Sequence, residues 1–226
     1  MFLTEQLRLF EEIPGLDLAH SEAHFWFEGQ PAPSLPPVQA GASYREWTSR
    51  ELLLDLLRLP NVIIPSTTLA RRAMYEKSGF FDQEMRYCED REFHLRVAAA
   101  GCRVARNQRT LLIYRRRHGS LSSDVGRMAY YRALALRKAL GAGGVPDDLQ
   151  PVAHAEIRKH LSDLRGAAVA HLLQGEPGHA RECFGRAWRF RPWDVRNAAG
   201  VLLAAVAPWA VPRIAAGLRR FRRSMA

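Results

Sequence analysis

The residues best suited to chemistry in this chain are three acids within four positions, Glu89, Asp90 and Glu92. An apolar run with helical spacing, Phe93, Val97 and Ala100, follows at once. The unbonded N–H groups at a helix start carry partial positive charge, so a carboxylate there is held by the backbone while one side faces solvent. That mounting suits a general base, which must be fixed within reach of a hydroxyl proton. Acids in a first helical turn also serve as simple charge complements, and the spacing leaves both readings open. Upstream, Gly79 suits a left-handed turn that ends a helix running from Thr68 through Lys77 and delivers Phe80, Phe81 and Asp82 to a cleft mouth. Asp82 can bind hydroxyl groups of a ligand or merely fix its turn.

Downstream lies Tyr114-Arg115-Arg116-Arg117-His118-Gly119-Ser120-Leu121-Ser122. The Arg116 guanidinium can grip phosphate oxygens in pairs, whereas Arg115 and Arg117 read as a solvated strand end. His118 offers a neutral nitrogen lone pair to a metal, or is an exposed histidine in a polar turn. Ser120 and Ser122 shape that turn.

The segment Gly79-Phe80-Phe81-Asp82, followed by Glu89-Asp90-Arg91-Glu92-Phe93-His94-Leu95-Arg96, resembles the "GxFDE … EDxDLxLR" block of family-two glycosyltransferases. The Tyr114–Ser122 stretch resembles that family's closing "YRxHxxSxS" block. Both stand in the family's order, within a resemblance running from about Phe2 to Ser123. The resemblance implies a partial GT-A fold, the acceptor-side half of a nucleotide-diphospho-sugar transferase layer lacking its N-terminal half. It implies transfer of a sugar from a nucleotide-sugar donor to a hydroxyl of a glycan or lipid-linked acceptor, with inversion. The base would be Asp90, oriented by Glu89; Phe81, Asp82 and Arg116 would contact substrate. His118 would help hold a divalent metal, Mn or Mg. The family's Asp-x-Asp metal motif occurs nowhere in this sequence. The expectation is therefore that the nucleotide-binding half is missing, by truncation or a start read too late, and that metal is held only in a completed site. A non-catalytic interaction module descended from such an enzyme is the competing reading.

The elements that must position these residues follow from pattern. Leu3, Leu7 and Phe10 share a helical face that Pro14-Gly15 ends. Leu16 to Ser21 alternates as a strand, and Trp26-Phe27 beyond it can stack on a sugar ring or pack a strand end. Gln30 to Gly41 is a Pro/Gly-rich loop. Thr48 with Glu51 forms a capping box before a leucine-rich helix that stops at Pro60. Val62-Ile63-Ile64 reads as a short buried strand, Val104 and Leu111–Tyr114 as two more. The result is an α/β class over residues 1–124 and a helical region over 125–226. Within the latter, 161–192 resembles one tetratricopeptide hairpin, with Ala180, Phe184, Ala187 and Pro192 at second-helix spacings and Gly175–Gly178 as the turn.

Lys and Arg exceed Asp and Glu by 33 − 23 = 10. Such a surface favours phosphates, sugar nucleotides or anionic lipid. Nucleic acid is set aside, because the basic residues are dispersed and no binding motif accompanies them. Cys88, Cys102 and Cys183 have no metal-ligand spacing and read as reduced thiols of a cytoplasmic protein. The amphipathic, acid-bearing start does not read as a secretory leader. Ala198 to Pro212 is apolar but falls short of the roughly 20 residues a spanning helix needs. With Arg213, Arg219, Arg220, Arg222 and Arg223 it suits either a packed terminal helix or peripheral membrane contact through 198–223 at the cytoplasmic face.

Overall fold

The computed structural model describes residues 2–35, 43–60, 62–117 and 119–210. The fold is mixed α/β and divides into two compact units: residues 1–123 with 134–156, and residues 124–133 with 157–226.

The first unit is built on two parallel strands, β1 (Leu18–Phe27) and β4 (Val104–Arg116), paired from Leu18↔Val104 to Phe27↔Arg116. Two antiparallel edge strands complete the order β2-β4-β1-β3: β2 (Tyr44–Trp47) on β4, and β3 (Leu69–Ala70) on β1. The apolar starts of β1 and β4 are fully buried, which fits a parallel pair covered on both faces. The register slips after Ser21 and again after Glu22, so β4 carries extra residues opposite them. Asn107 Oδ1 accepts the Arg109 N–H at 3.1 Å and closes that bulge. Val104 and Leu111–Tyr114 therefore belong to one long strand, where sequence pattern suggests two.

Helix α1 (Phe2–Glu12) turns Gln6 and Leu9 inward, and Leu9 joins Ile13, Leu16, Ala19 and Ala105 in a core cluster with Phe10 at its edge. Leu3 and Leu7 are exposed, so the buried stripe lies one position off the expected Leu3/Leu7/Phe10 face. Polar Gln6 makes the difference: it is fully buried and its Nε2 donates to the Thr67 carbonyl at 2.6 Å.

Helix α2 (Ser49–Arg58) opens on the expected capping box, with reciprocal Thr48 and Glu51 bonds, and buries Leu52, Leu53, Leu56 and Leu57. Val62–Ile64 is not a strand: it is a bend that buries Ile63 and leads into a 3₁₀ turn, Pro65–Thr67. Thr68 closes that turn, its Oγ1 donating to the Pro65 carbonyl at 2.7 Å, and does not cap a helix. Helix α3 (Arg72–Ser78) begins four residues later, after β3. Helix α4 (Glu89–Ala99) buries Phe93, His94, Leu95, Val97 and Ala98.

The second unit is helical. Helix α5 (Val125–Gly141) and helix α6 (Gln150–Leu173) each contribute to both units. Helices α7 (Pro177–Phe190) and α8 (Val195–Val206) belong wholly to the second. Its core includes Leu161, Leu164, Ala168 and Leu172 of α6 and Ala180, Phe184, Ala187 and Phe190 of α7. Among the described residues, no helix is long and apolar enough to cross a membrane. The arginine cluster of 213–223 lies outside the described residues, as do 36–42 of the expected loop.

Candidate functional site

The acidic block is assembled around the start of α4. Cys88 precedes it in the left-handed region, at φ +54°, a conformation that side chains other than glycine adopt at a cost. The three acids differ in exposure. Glu89 is exposed, Asp90 is half-buried, and Glu92 is buried. Asp90 Oδ1 accepts the Arg91 N–H at 2.7 Å.

Glu92 is committed to the fold. Its two carboxylate oxygens take Arg96 Nε at 2.8 Å and Nη2 at 2.9 Å, one helical turn on. The same guanidinium donates to the Ser78 carbonyl and, at 2.8 Å, to the Phe80 carbonyl. Arg96 thus ties both halves of the block, the glycine turn and the acidic helix, into one local structure. Gly79 is required twice there: its φ is +75°, and a Cβ would sit 3.2 Å from Arg96 Nη1. Arg91 reaches back to helix α2. Its guanidinium donates to the Leu57 and Leu59 carbonyls at 3.0 and 3.3 Å, completing the C-terminus of α2.

The aromatics of the block stack in series. Phe81 lies on Phe93 with centroids 4.5 Å apart, and Tyr75 stacks on both Phe93 and Phe80 at 5.5 Å. Phe93 is buried, whereas Phe81 is 46% and Phe80 75% exposed, so an apolar ledge faces solvent. Asp82 is already engaged: Oδ1 accepts the Glu84 N–H at 2.9 Å and Oδ2 the Lys138 ammonium at 2.7 Å. Lys138 reaches Glu84 as well, at 2.9 Å. These bonds, that from Lys138 first, hold the Asp82 carboxyl below its ordinary range.

Arg116 ends β4 with its guanidinium 4.9 Å from the Phe25 ring centre. It lines a pocket of about 210 Å³ with Phe27, Glu28, Arg117, Ser120, Ser122 and Ser123. Trp26 points elsewhere, donating its indole N–H to the Gln30 carbonyl at 2.9 Å, so Phe27 is the aromatic that reaches the pocket. None of Phe81, Asp82, Glu89 and Asp90 lines this pocket. His118 lies outside the described residues.

The arrangement has two separate parts: the acidic block, with half-buried Asp90 and an exposed aromatic ledge, and a basic, hydroxyl-lined hollow. The first can hold a ring and accept a proton; the second can hold an anion. Sequence pattern assigns no role to Arg96 or Lys138. The four-residue step from Glu92 to Arg96 is a usable signal for the first; the partnership of Lys138 with Asp82, 56 positions apart, has none. No family model matches the chain, and no curated protein matches it.

Proposed function

We propose that this chain is a family-two-like glycosyltransferase of GT-A type, contributing the acceptor side of the reaction. The observation that carries the reading is the coherence of the first block. Its glycine turn, buried Glu92 and its final arginine make one bonded structure, in which Asp90 is half-buried at the start of α4 and Phe81 is exposed after the turn. In this reading Asp90 takes the proton of an acceptor hydroxyl, and Glu89 biases its orientation. Phe81 carries the sugar ring, and Asp82 orders the turn that presents Phe81. Arg116 meets the negative charge that develops on the departing diphosphate.

A divalent ion, Mn or Mg, would neutralise that diphosphate. His118 can supply one nitrogen, but hard cations need oxygen ligands as well, and the sequence holds no Asp-x-Asp. Metal and nucleotide are then bound only in a completed site. The donor is a nucleotide sugar, and the acceptor a glycan or a lipid-linked acceptor at the cytoplasmic face of a membrane.

Calorimetric titration of the chain with a nucleoside diphosphate and Mn²⁺ should give weak or no binding. Micromolar, metal-dependent binding would overturn the assignment of the chain to the acceptor side alone. With a nucleotide-binding half supplied by fusion, transfer from a panel of nucleotide sugars should appear, and Asp90→Asn should lower kcat by roughly 10²-fold or more. Turnover retained in that variant removes Asp90 from the base role.

The competing reading is a non-catalytic interaction module carrying a tetratricopeptide-like hairpin. It draws on the exposed Trp188, Trp193, Val195, Leu202, Val206 and Trp209 of the helical unit. Failure of every donor in the fused protein favours it.

A further inference from the structure

We propose that His171, Glu176 and His179 form a zinc-binding site at the turn between α6 and α7. His171 stands in the last turn of α6, Glu176 immediately precedes α7, and His179 stands in the first turn of α7. One ligand atom from each falls within 4.8 Å of the others. Glu176 Oε2 lies between the two imidazoles, 2.6 Å from His171 Nδ1 and 3.6 Å from His179 Nδ1. Tetrahedral ligands about 2.0–2.1 Å from zinc are roughly 3.3 Å apart, so these two separations need change by less than about 1 Å, and the two imidazole nitrogens, within 4.8 Å of each other, by at most about 1.5 Å. His179 is largely exposed, its ring centre 5.2 Å from that of His171, and the backbone at the turn is fixed by Glu176 N–H donating to the His171 carbonyl at 2.8 Å.

The donor set selects the ion. Two imidazole nitrogens and one carboxylate suit Zn²⁺ and its first-row neighbours; Mg²⁺ and Ca²⁺ require mainly oxygen. The surrounding pocket, about 280 Å³, leaves space for a water as fourth ligand. Its cations are matched by acids of their own: Arg127 by Asp124 at 3.1 Å, and Arg186 by Glu182 at 2.6 Å. The ion would clip the helical hairpin shut at its turn.

The full chain, treated with chelator and dialysed, is titrated with Zn²⁺ by calorimetry and with Co²⁺ by visible absorption. One equivalent should bind in the micromolar range, unaffected by about millimolar Mg²⁺. His171→Gln and His179→Gln, checked for helical content by circular dichroism, should each weaken binding roughly tenfold or more. Glu176→Gln provides the same readout if either imidazole variant misfolds. His154→Gln, at an exposed position of α6, should leave affinity unchanged. Absence of Zn²⁺ binding at about 100 µM, or unaltered affinity in the three ligand variants, overturns the proposal. The site shares no residue with the transferase reading, so either can fail without the other.

Discussion

Arg96 decides the geometry of the acidic block more than any acid in it. Its guanidinium neutralises buried Glu92 and holds two carbonyls of the glycine turn. Arg96→Ala leaves Glu92 with no fixed cation and should cost about 2–3 kcal/mol in urea unfolding. Arg96→Lys should recover only part, because an ammonium cannot span a carboxylate and two carbonyls in one plane. An unchanged unfolding midpoint in Arg96→Ala would show that the turn stands without it. Local spacing gave Glu89, Asp90 and Glu92 equal standing; only burial separates them. A second residue-scale consequence concerns protons. Burial lowers His20 from 6.5 to about 3, assisted by the Arg106 charge and by His94, and lowers His94 to about 4. Both are neutral when folded and take up protons more readily when unfolded. Stability is therefore full above pH 6.5 and declines as pH falls toward those folded values, by about 1.4 kcal/mol per pH unit for each group. The pH dependence of the urea midpoint should flatten in His94→Leu. An equally steep profile in that variant would assign the acid loss to other groups.

At the scale of elements, the sequence announces most helices, because their signals are local: the Thr48–Glu51 box, the turn at Gly79, and the break before Pro177. It misleads where pairing partners decide. Val62–Ile64 has strand residues but reaches no sheet edge, and Pro65 starts a 3₁₀ turn instead. Strand β4 stays continuous because β1 pairs along its whole length and Asn107 closes the bulge; neither partner can be read from β4 itself. Packing between α7 and α8 gives a sharp prediction. A Cβ on Gly200 would lie within 2.7 Å of three ring carbons of Phe184, which is buried. Helix propensity alone favours Gly200→Ala by about 1 kcal/mol, but the overpacking costs about 1–3. The variant should be less stable than the parent, and adding Phe184→Leu should reverse the sign of the alanine effect in a double-mutant cycle. A stabilised single variant would mean that the helices can part without cost.

For the whole molecule, the α/β class was legible because helix and strand periods alternate through the first half and give way to helical spacing alone. The shared use of α5 and α6 was not, since tertiary packing, rather than composition, sets that division. Charge is the remaining property read over the full chain. An excess of ten positive charges, with four arginines among residues 219–223, should draw the protein to anionic surfaces. Each basic residue near such a surface adds about 1 kcal/mol, and salt screens the attraction over about 8–10 Å. Co-sedimentation with vesicles rich in phosphatidylglycerol should therefore exceed that with neutral phosphatidylcholine and fall as salt rises. Replacing Arg219, Arg220, Arg222 and Arg223 by alanine should weaken it by roughly tenfold or more. Equal binding to neutral vesicles would instead assign attachment to the apolar residues that precede the arginines, and absence of binding to either would leave a lipid-linked acceptor without a route to the chain.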